Sequence, residues 1–195
     1  MSSANYLYRT LVLASASPQR KAILEEYGFR FSIVPANIPE YFDTSASPEK
    51  NAMRIAQEKA HAVARKHPKN VVLAADTIVV SPAGKILGKP KNKREARKML
   101  EEKRGKSEQI ITGFCICAET SEVNGYEISN IHYTDFPQHT LEDILRSGEW
   151  EDVAGALRIE GAHMQHIIHT ISGDYQNIIG LPIGKISHIL RDFPI

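Results

Sequence analysis

Two cysteines in a chain of 195 residues are too few for a disulfide framework. Cys115 and Cys117 stand two apart in the run Ile110-Ile111-Thr112-Gly113-Phe114-Cys115-Ile116-Cys117. Strand geometry puts both on one face, where they pack as small hydrophobes. A zinc site needs more ligands than this pair. No apolar run reaches the roughly 18 residues of a membrane helix. Leu11-Val12-Leu13, ahead of Ala14-Ser15-Ala16, falls short of the roughly 7–15-residue core of a secretion signal. With free thiols, these absences predict a cytoplasmic protein that takes no membrane partner. An excess of one charge is missing too. Lys+Arg 24 against Asp+Glu 23 leaves a net +1, so no whole-molecule field draws the protein to nucleic acid or acidic lipid. An anionic ligand must be held by cations gathered locally. What is present, 42% apolar and 24% charged residues, is ordinary globular composition. The length fits a single domain over 1–195 that folds without metal or disulfide.

The pattern of elements is mixed. Leu11-Val12-Leu13-Ala14 predicts a buried strand, and Ser17-Pro18 opens a helix with serine as cap and proline at its first position. A strand through Phe31 and Ile33 leads to a loop holding Glu40. Ser47-Pro48 starts a longer helix with Ala52, Ile55, Ala56, Lys59, Ala60 and Val63 along it. Val71-Val72-Leu73-Ala74-Ala75 predicts a strand ending on Asp76, followed by a hairpin turning at Pro82-Ala83-Gly84. A charged helix is expected over 93–104. Two strands, 108–119 and about 126–136, are expected to join near Asn124-Gly125. Thr140-Leu141-Glu142-Asp143 reads as a capping box, and a strand around 167–171 and a helix over about 183–191 close the chain. Without strict alternation, this is an α/β or α+β domain with a partly antiparallel sheet.

Several residues carry candidate chemistry. Ser15, Ser17 and Arg20 place two hydroxyls and a guanidinium at a helix N-terminus, whose unpaired N–H groups suit a phosphate. Ser17 by itself is most simply a cap. Gly84–Lys89 and Gly180–Lys185 are not phosphate loops: each has one residue too few between its glycines and lacks the following Ser or Thr. Asp76 sits where α/β proteins place a functional carboxylate, although a turn residue would look the same. Glu40 is a weaker candidate metal or water ligand. Lys59 lies on a buried stripe, so its ammonium either snorkels to water or reaches a buried anion. Residues 89–106 carry nine basic and three acidic residues. They have no aromatics to stack on bases, so a solvated helix face is favoured over a nucleic-acid patch. His163, His166 and His169 share one face in neither a helix nor a strand.

Taken in order, these residues resemble the Maf family of nucleotide pyrophosphatases, from about Leu11 to Ile189. The similarity rests on Leu-Val-Leu-Ala-Ser-Ala-Ser-Pro-Gln-Arg at 11–20, Ala-Asn-Ile-Pro-Glu at 36–40, Gln57-Glu58-Lys59-Ala60, Ala75-Asp76-Thr77 and Gly88-Lys89-Pro90. Ala154-Gly155-Ala156, Ile159-Glu160-Gly161 and the stretch from Gly173 to Pro182 complete it. The resemblance implies a fold like the inosine-triphosphate pyrophosphatases: an elongated mixed sheet with flanking helices, and two lobes around a cleft. It implies a homodimer that hydrolyses a nucleoside triphosphate between its α and β phosphates, using Mg2+ or Mn2+. It casts Ser15, Arg20, Lys59 and Lys89 as phosphate ligands, and Asp76 as the catalytic group or a metal ligand beside Glu40. Glu160 and Thr77 become candidates for base selection. Gln19 stands where the family commonly has an arginine, and Leu157-Arg158 where it has Tyr-Gly. Glu160 resembles the branch associated with 7-methyl-GTP, whereas Ala75-Asp76-Thr77 and Gly173-Asp174-Tyr175 resemble the dTTP/UTP branch, so base preference stays open. Two alternatives remain: a catalytically weak nucleotide-binding regulator of cell division on the same scaffold, and a nucleic-acid binder using 89–106.

Overall fold

The structure is a computed structural model that describes residues Thr10–Phe193. Seven strands form one mixed sheet: β1 (Leu11–Leu13), β2 (Phe31–Ile33), β3 (Val71–Val80), β4 (Ile86–Leu87), β5 (Ser107–Ala118), β6 (Ser121–Tyr133) and β7 (Ile168–Ser172). Their order is β2-β1-β3-β5-β6-β7, with β4 paired to β3. β1 runs parallel to β2 and to β3, whereas β3–β4 and β6–β7 are antiparallel. The helices are α1 (Pro18–Glu26), α2 (Pro48–Ala64), α3 (Lys93–Lys103), α4 (Gln138–Ser147), α5 (Met164–Ile167), α6 (Tyr175–Ile179) and α7 (Ile183–Leu190). This is the expected mixed α/β class with a partly antiparallel sheet. No helix among the described residues is long and apolar enough to cross a membrane.

The chain divides into two compact units. Among the described residues the first takes 10–76, 112–127 and 179–193. Its core has two layers. Leu11, Leu13, Val71, Leu73, Phe114 and Ile116 pack with α1 and α7, while Val12, Ala14, Val72, Ala74, Cys115 and Cys117 pack with Ala56, Ala60 and Val63 of α2. Alternate residues of one strand serve opposite layers because strand side chains alternate with a period of two. Both cysteines are free and buried on one face, and the neighbouring Cys117 thiol together with burial pushes the Cys115 thiol well up. Gly113 is the closest approach of β5 to α2: a Cβ there would lie 2.3 Å from the Ala52 carbonyl carbon.

The second unit takes residues 77–111 and 128–178. Ala96 and Leu100 of α3, Leu141, Ile144 and Leu145 of α4, and Ile110, Ile131 and Tyr133 of the strands make its core. Arg97 of α3 donates from Nη1 and Nη2 to Oε1 and Oε2 of Glu142 in α4, at 2.5 and 2.7 Å.

Three sequence expectations are corrected. Asp76 lies inside β3, which runs on to Val80, because Ile78, Val79 and Val80 are as buried as the residues before it. The β5–β6 turn is Glu119-Thr120, not Asn124-Gly125, which sits within β6. Gly125 serves packing: a Cβ there would come within 2.5 Å of the Phe114 ring. Helix α4 starts at Gln138 behind Pro137, whose φ of −72° suits a helix entry, so Thr140 is interior and not a cap. The expected serine caps hold, Ser17 Oγ accepting from the Arg20 amide and Ser47 Oγ from the Lys50 amide, both at 3.4 Å.

Candidate active site

Five of the candidate residues come together in the first unit. β1 ends at Leu13, and the next turn brings Ser15 to the start of α1, where its side chain is buried. Ser15 Oγ accepts from the Ser17 amide at 3.2 Å and from Arg20 Nη1 at 3.1 Å. Arg20 Nε donates to the Gly180 carbonyl at 2.9 Å, so the guanidinium is held from two sides. Burial lowers the Arg20 pKa, against the opposing pull of the Asp76 and Glu40 carboxylates. Charge and geometry place these groups in one field. Gln19 takes a hydrogen bond from the Ser17 hydroxyl at 3.2 Å.

Lys59 lies in the buried stripe of α2, and its ammonium does not snorkel to water. It reaches Asp76 Oδ1 at 2.6 Å and Glu40 Oε1 at 2.7 Å. Asp76 is only 6% exposed in β3, whereas the Glu40 side chain is 47% exposed on its loop. Burial raises the Asp76 pKa above its ordinary value, and the Glu40 charge adds to this; Lys59 and Arg20 pull the other way. A carboxyl lifted by burial while facing two cations is poised to exchange protons nearer neutrality than a solvated one. The Glu40 loop is fixed from behind. Fully buried Asn51 accepts from the Asp43 amide at 2.8 Å and donates to the Asp43 carbonyl at 2.9 Å, and Arg54 donates to the Tyr41 carbonyl.

Thr77, Lys89 and Glu160 belong to the second unit. Thr77 follows Asp76 along β3 and is half-buried. The Lys89 side chain is 64% exposed after β4, with Nζ 3.9 Å from Asp152 Oδ1. Glu160 is exposed beyond a short 3-10 turn at Ala154–Ala156. The basic run 89–106 is partly neutralised: Arg97 pairs with Glu142, Lys103 with Glu108 and Arg104 with Asp135. His163 faces Glu149 at 3.2 Å, His166 lies in α5 and His169 in β7. No group of three His, Cys, Asp or Glu among the described residues could hold a metal by themselves.

Two features escaped the sequence reading. The Gly180 carbonyl that holds Arg20 is a backbone group, for which side-chain patterns give no signal. A buried network of Lys103, Glu108 and Tyr133 did leave one. Lys103 continues the inward stripe of Ala96 and Leu100 at helical spacing, a position where a lysine must find a partner.

A family model described as Maf-like protein matches residues 10–193. The chain is 40% identical over 185 residues to a dTTP/UTP pyrophosphatase of Clostridioides difficile, covering 94% of each chain. It is 38% identical over 181 residues to a dTTP/UTP pyrophosphatase of Pyrococcus abyssi, covering 93% of this chain and 95% of the relative. A Bacillus pumilus dTTP/UTP pyrophosphatase shares 37% identity over 95% of this chain and 97% of its own.

Proposed function

The chain belongs to the Maf-like family, and from that premise we propose that it is a nucleoside triphosphate pyrophosphatase acting on dTTP and UTP. The observation that carries this reading is the Asp76–Lys59–Glu40 cluster beside Arg20 and Ser15, a buried carboxylate among cations at a helix N-terminus.

In this reading Ser15, Arg20 and the first amides of α1 hold the phosphate chain. The guanidinium is pre-set by Ser15 and the Gly180 carbonyl, so little reorganisation accompanies binding. Lys59 neutralises phosphate oxygens, and Lys89 of the second unit is proposed to do the same. Asp76 orients the attacking water and takes its proton as the water oxygen bonds to phosphorus. The α–β bridge breaks, and monophosphate and pyrophosphate leave.

Asp76 and Glu40 meet on one ammonium, and their hard oxygens suit Mg2+ or Mn2+. Two protein carboxylates with the remaining positions filled by phosphate and water is an ordinary magnesium arrangement. Bound there, the cation would supply Lewis-acid charge to the phosphoryl oxygens. Thr77 and Glu160 are proposed to select the base. A homodimer is part of the same proposal and rests on the family resemblance, while a cytoplasmic setting rests on the two free thiols.

A catalytically weak nucleotide binder has the same ligand set, and turnover separates the two readings. The nucleic-acid reading loses ground with Arg97, Lys103 and Arg104 committed to internal pairs. Pyrophosphate release is measured over dTTP, UTP and 7-methyl-GTP, with Mg2+ or Mn2+ and with a chelator. Release from dTTP and UTP that stops with the chelator supports the proposal. Binding without release from any nucleotide would favour the regulator.

A further inference from the structure

A charge buried in the second unit has no place in the proposed chemistry. Lys103 at the end of α3 is 1% exposed, and Glu108 in β5 is 3% exposed. The Lys103 ammonium pairs with Glu108 Oε2, the Tyr133 hydroxyl donates to Glu108 Oε1, and the same ammonium lies 5.5 Å from the Tyr133 ring centre. Taking two charges out of water is expensive, and apolar residues of similar volume often replace such a pair with no loss of stability. Stability alone is therefore a weak account of the network. Its surroundings give a stronger one.

A Cβ on Gly155 would lie 3.0 Å from Lys103 Nζ and 3.0 Å from Val79 Cγ1, so the ammonium and a valine fill the space into which a side chain there would project. Gly155 belongs to a segment of unusual backbone. Asp152 (φ +57°), Gly155 (φ +71°) and Ala156 (φ +61°) are all left-handed, a conformation that strains the two non-glycines. Such a segment persists only where its surroundings over-determine it. From above, the Gly155 amide donates to the Gly88 carbonyl at 3.1 Å, and Asp152 Oδ1 stands 3.9 Å from Lys89 Nζ. One strained segment thus has a buried cation beside Gly155 and a hydrogen bond to Gly88, the residue before Lys89.

We propose that Lys103, held by Glu108 and Tyr133, is a positioning residue that braces the 152–156 segment and through it sets Lys89 for an anionic phosphate ligand. The bracing stands on the second unit alone. The consequence for phosphate rests on the functional reading above.

The test replaces the whole network by apolar residues, Lys103→Met with Glu108→Leu and Tyr133→Phe. This triple variant is expected to melt at or above the wild-type temperature. Amide hydrogen exchange over 153–156 should nevertheless quicken about tenfold, the loss of one good contact. KM for dTTP should rise by a similar factor, about tenfold, with kcat nearly unchanged. Adding Lys89→Ala should then raise KM much less than it does in the wild type, since both changes act through one contact.

A triple variant with wild-type exchange and wild-type KM would overturn the proposal, because the network would then only fill the core. Quickened exchange with KM unmoved would overturn the link to Lys89. If the wild type hydrolyses no nucleotide, the functional reading fails, and the exchange rates still decide the bracing. If the triple variant does not fold, Tyr133→Phe alone decides: faster exchange at 153–156 supports the brace, and unchanged exchange overturns it.

Discussion

At the scale of single residues, Asp76 makes the sharpest prediction. Replacing it with asparagine keeps shape and a hydrogen-bond acceptor for Lys59, while Glu40 still balances the ammonium. The raised Asp76 pKa also fixes the sign of its effect on stability. Folding favours the protonated form, so this group's favourable contribution is complete below its ordinary pKa and is lost as pH rises through the raised one. At neutral pH, Asp76→Asn should therefore melt no lower than wild type and lose nearly all turnover. Thermal melting beside a turnover assay checks both, and a variant that melts well below wild type would contradict the sign. Much of this site was legible as residue types. Ser15, Arg20, Glu40, Lys59 and Asp76 stand at separate points of the chain, and each had a bland alternative. Their convergence on one another, with Lys59 bonded to both carboxylates, is a tertiary fact that no local pattern contains.

At the scale of elements, local chemistry was legible wherever the chain itself supplies the partner. Ser17-Pro18 and Ser47-Pro48 start helices because a serine oxygen and a proline ring satisfy the first turn without outside help. The misreadings came from packing. Asn124-Gly125 has turn chemistry, but the Phe114 ring occupies the space a side chain would need, so the glycine serves the strand. Gly113 makes the same point against α2, and Gly113→Val should destabilise the first unit by at least about 2 kcal/mol through overpacking. Urea denaturation measures it; a variant of wild-type stability would mean that α2 can move away from β5. The Arg97–Glu142 link between α3 and α4 gives a pH prediction. The Arg97 hydrogen bonds, then that from Gln138, lower the Glu142 pKa from the ordinary 4.5 to about 2. Its contribution is therefore complete above pH 4.5 and lost as pH falls towards 2. Melting temperature should drop less between those pH values in Glu142→Gln than in wild type. Equal drops would show that the pair adds nothing in solution.

At the scale of the whole molecule, a net charge of +1 conceals how the charges are sorted. Arg20 and Lys59 are gathered with Asp76 and Glu40 in the first unit, while Arg97, Lys103 and Arg104 pair with Glu142, Glu108 and Asp135 in the second. Length and composition predict a single globular domain, the family resemblance implies two lobes within it, and the contacts divide the chain into two compact units. Composition gives no sign of where the division falls, because β3, β5 and β6 each pass from one unit into the other, leaving no linker to mark it. A near-neutral protein with locally gathered cations is suited to a small polyanion, which in the proposed reaction is cut at its α–β bridge with the help of Asp76. The most direct measurement is phosphorus NMR of dTTP incubated with Mg2+ and either wild-type protein or Asp76→Asn. The account predicts dTMP and pyrophosphate in equal amounts from the wild type and unchanged dTTP with the variant. Release of dTDP and inorganic phosphate, or equal turnover by Asp76→Asn, would contradict it.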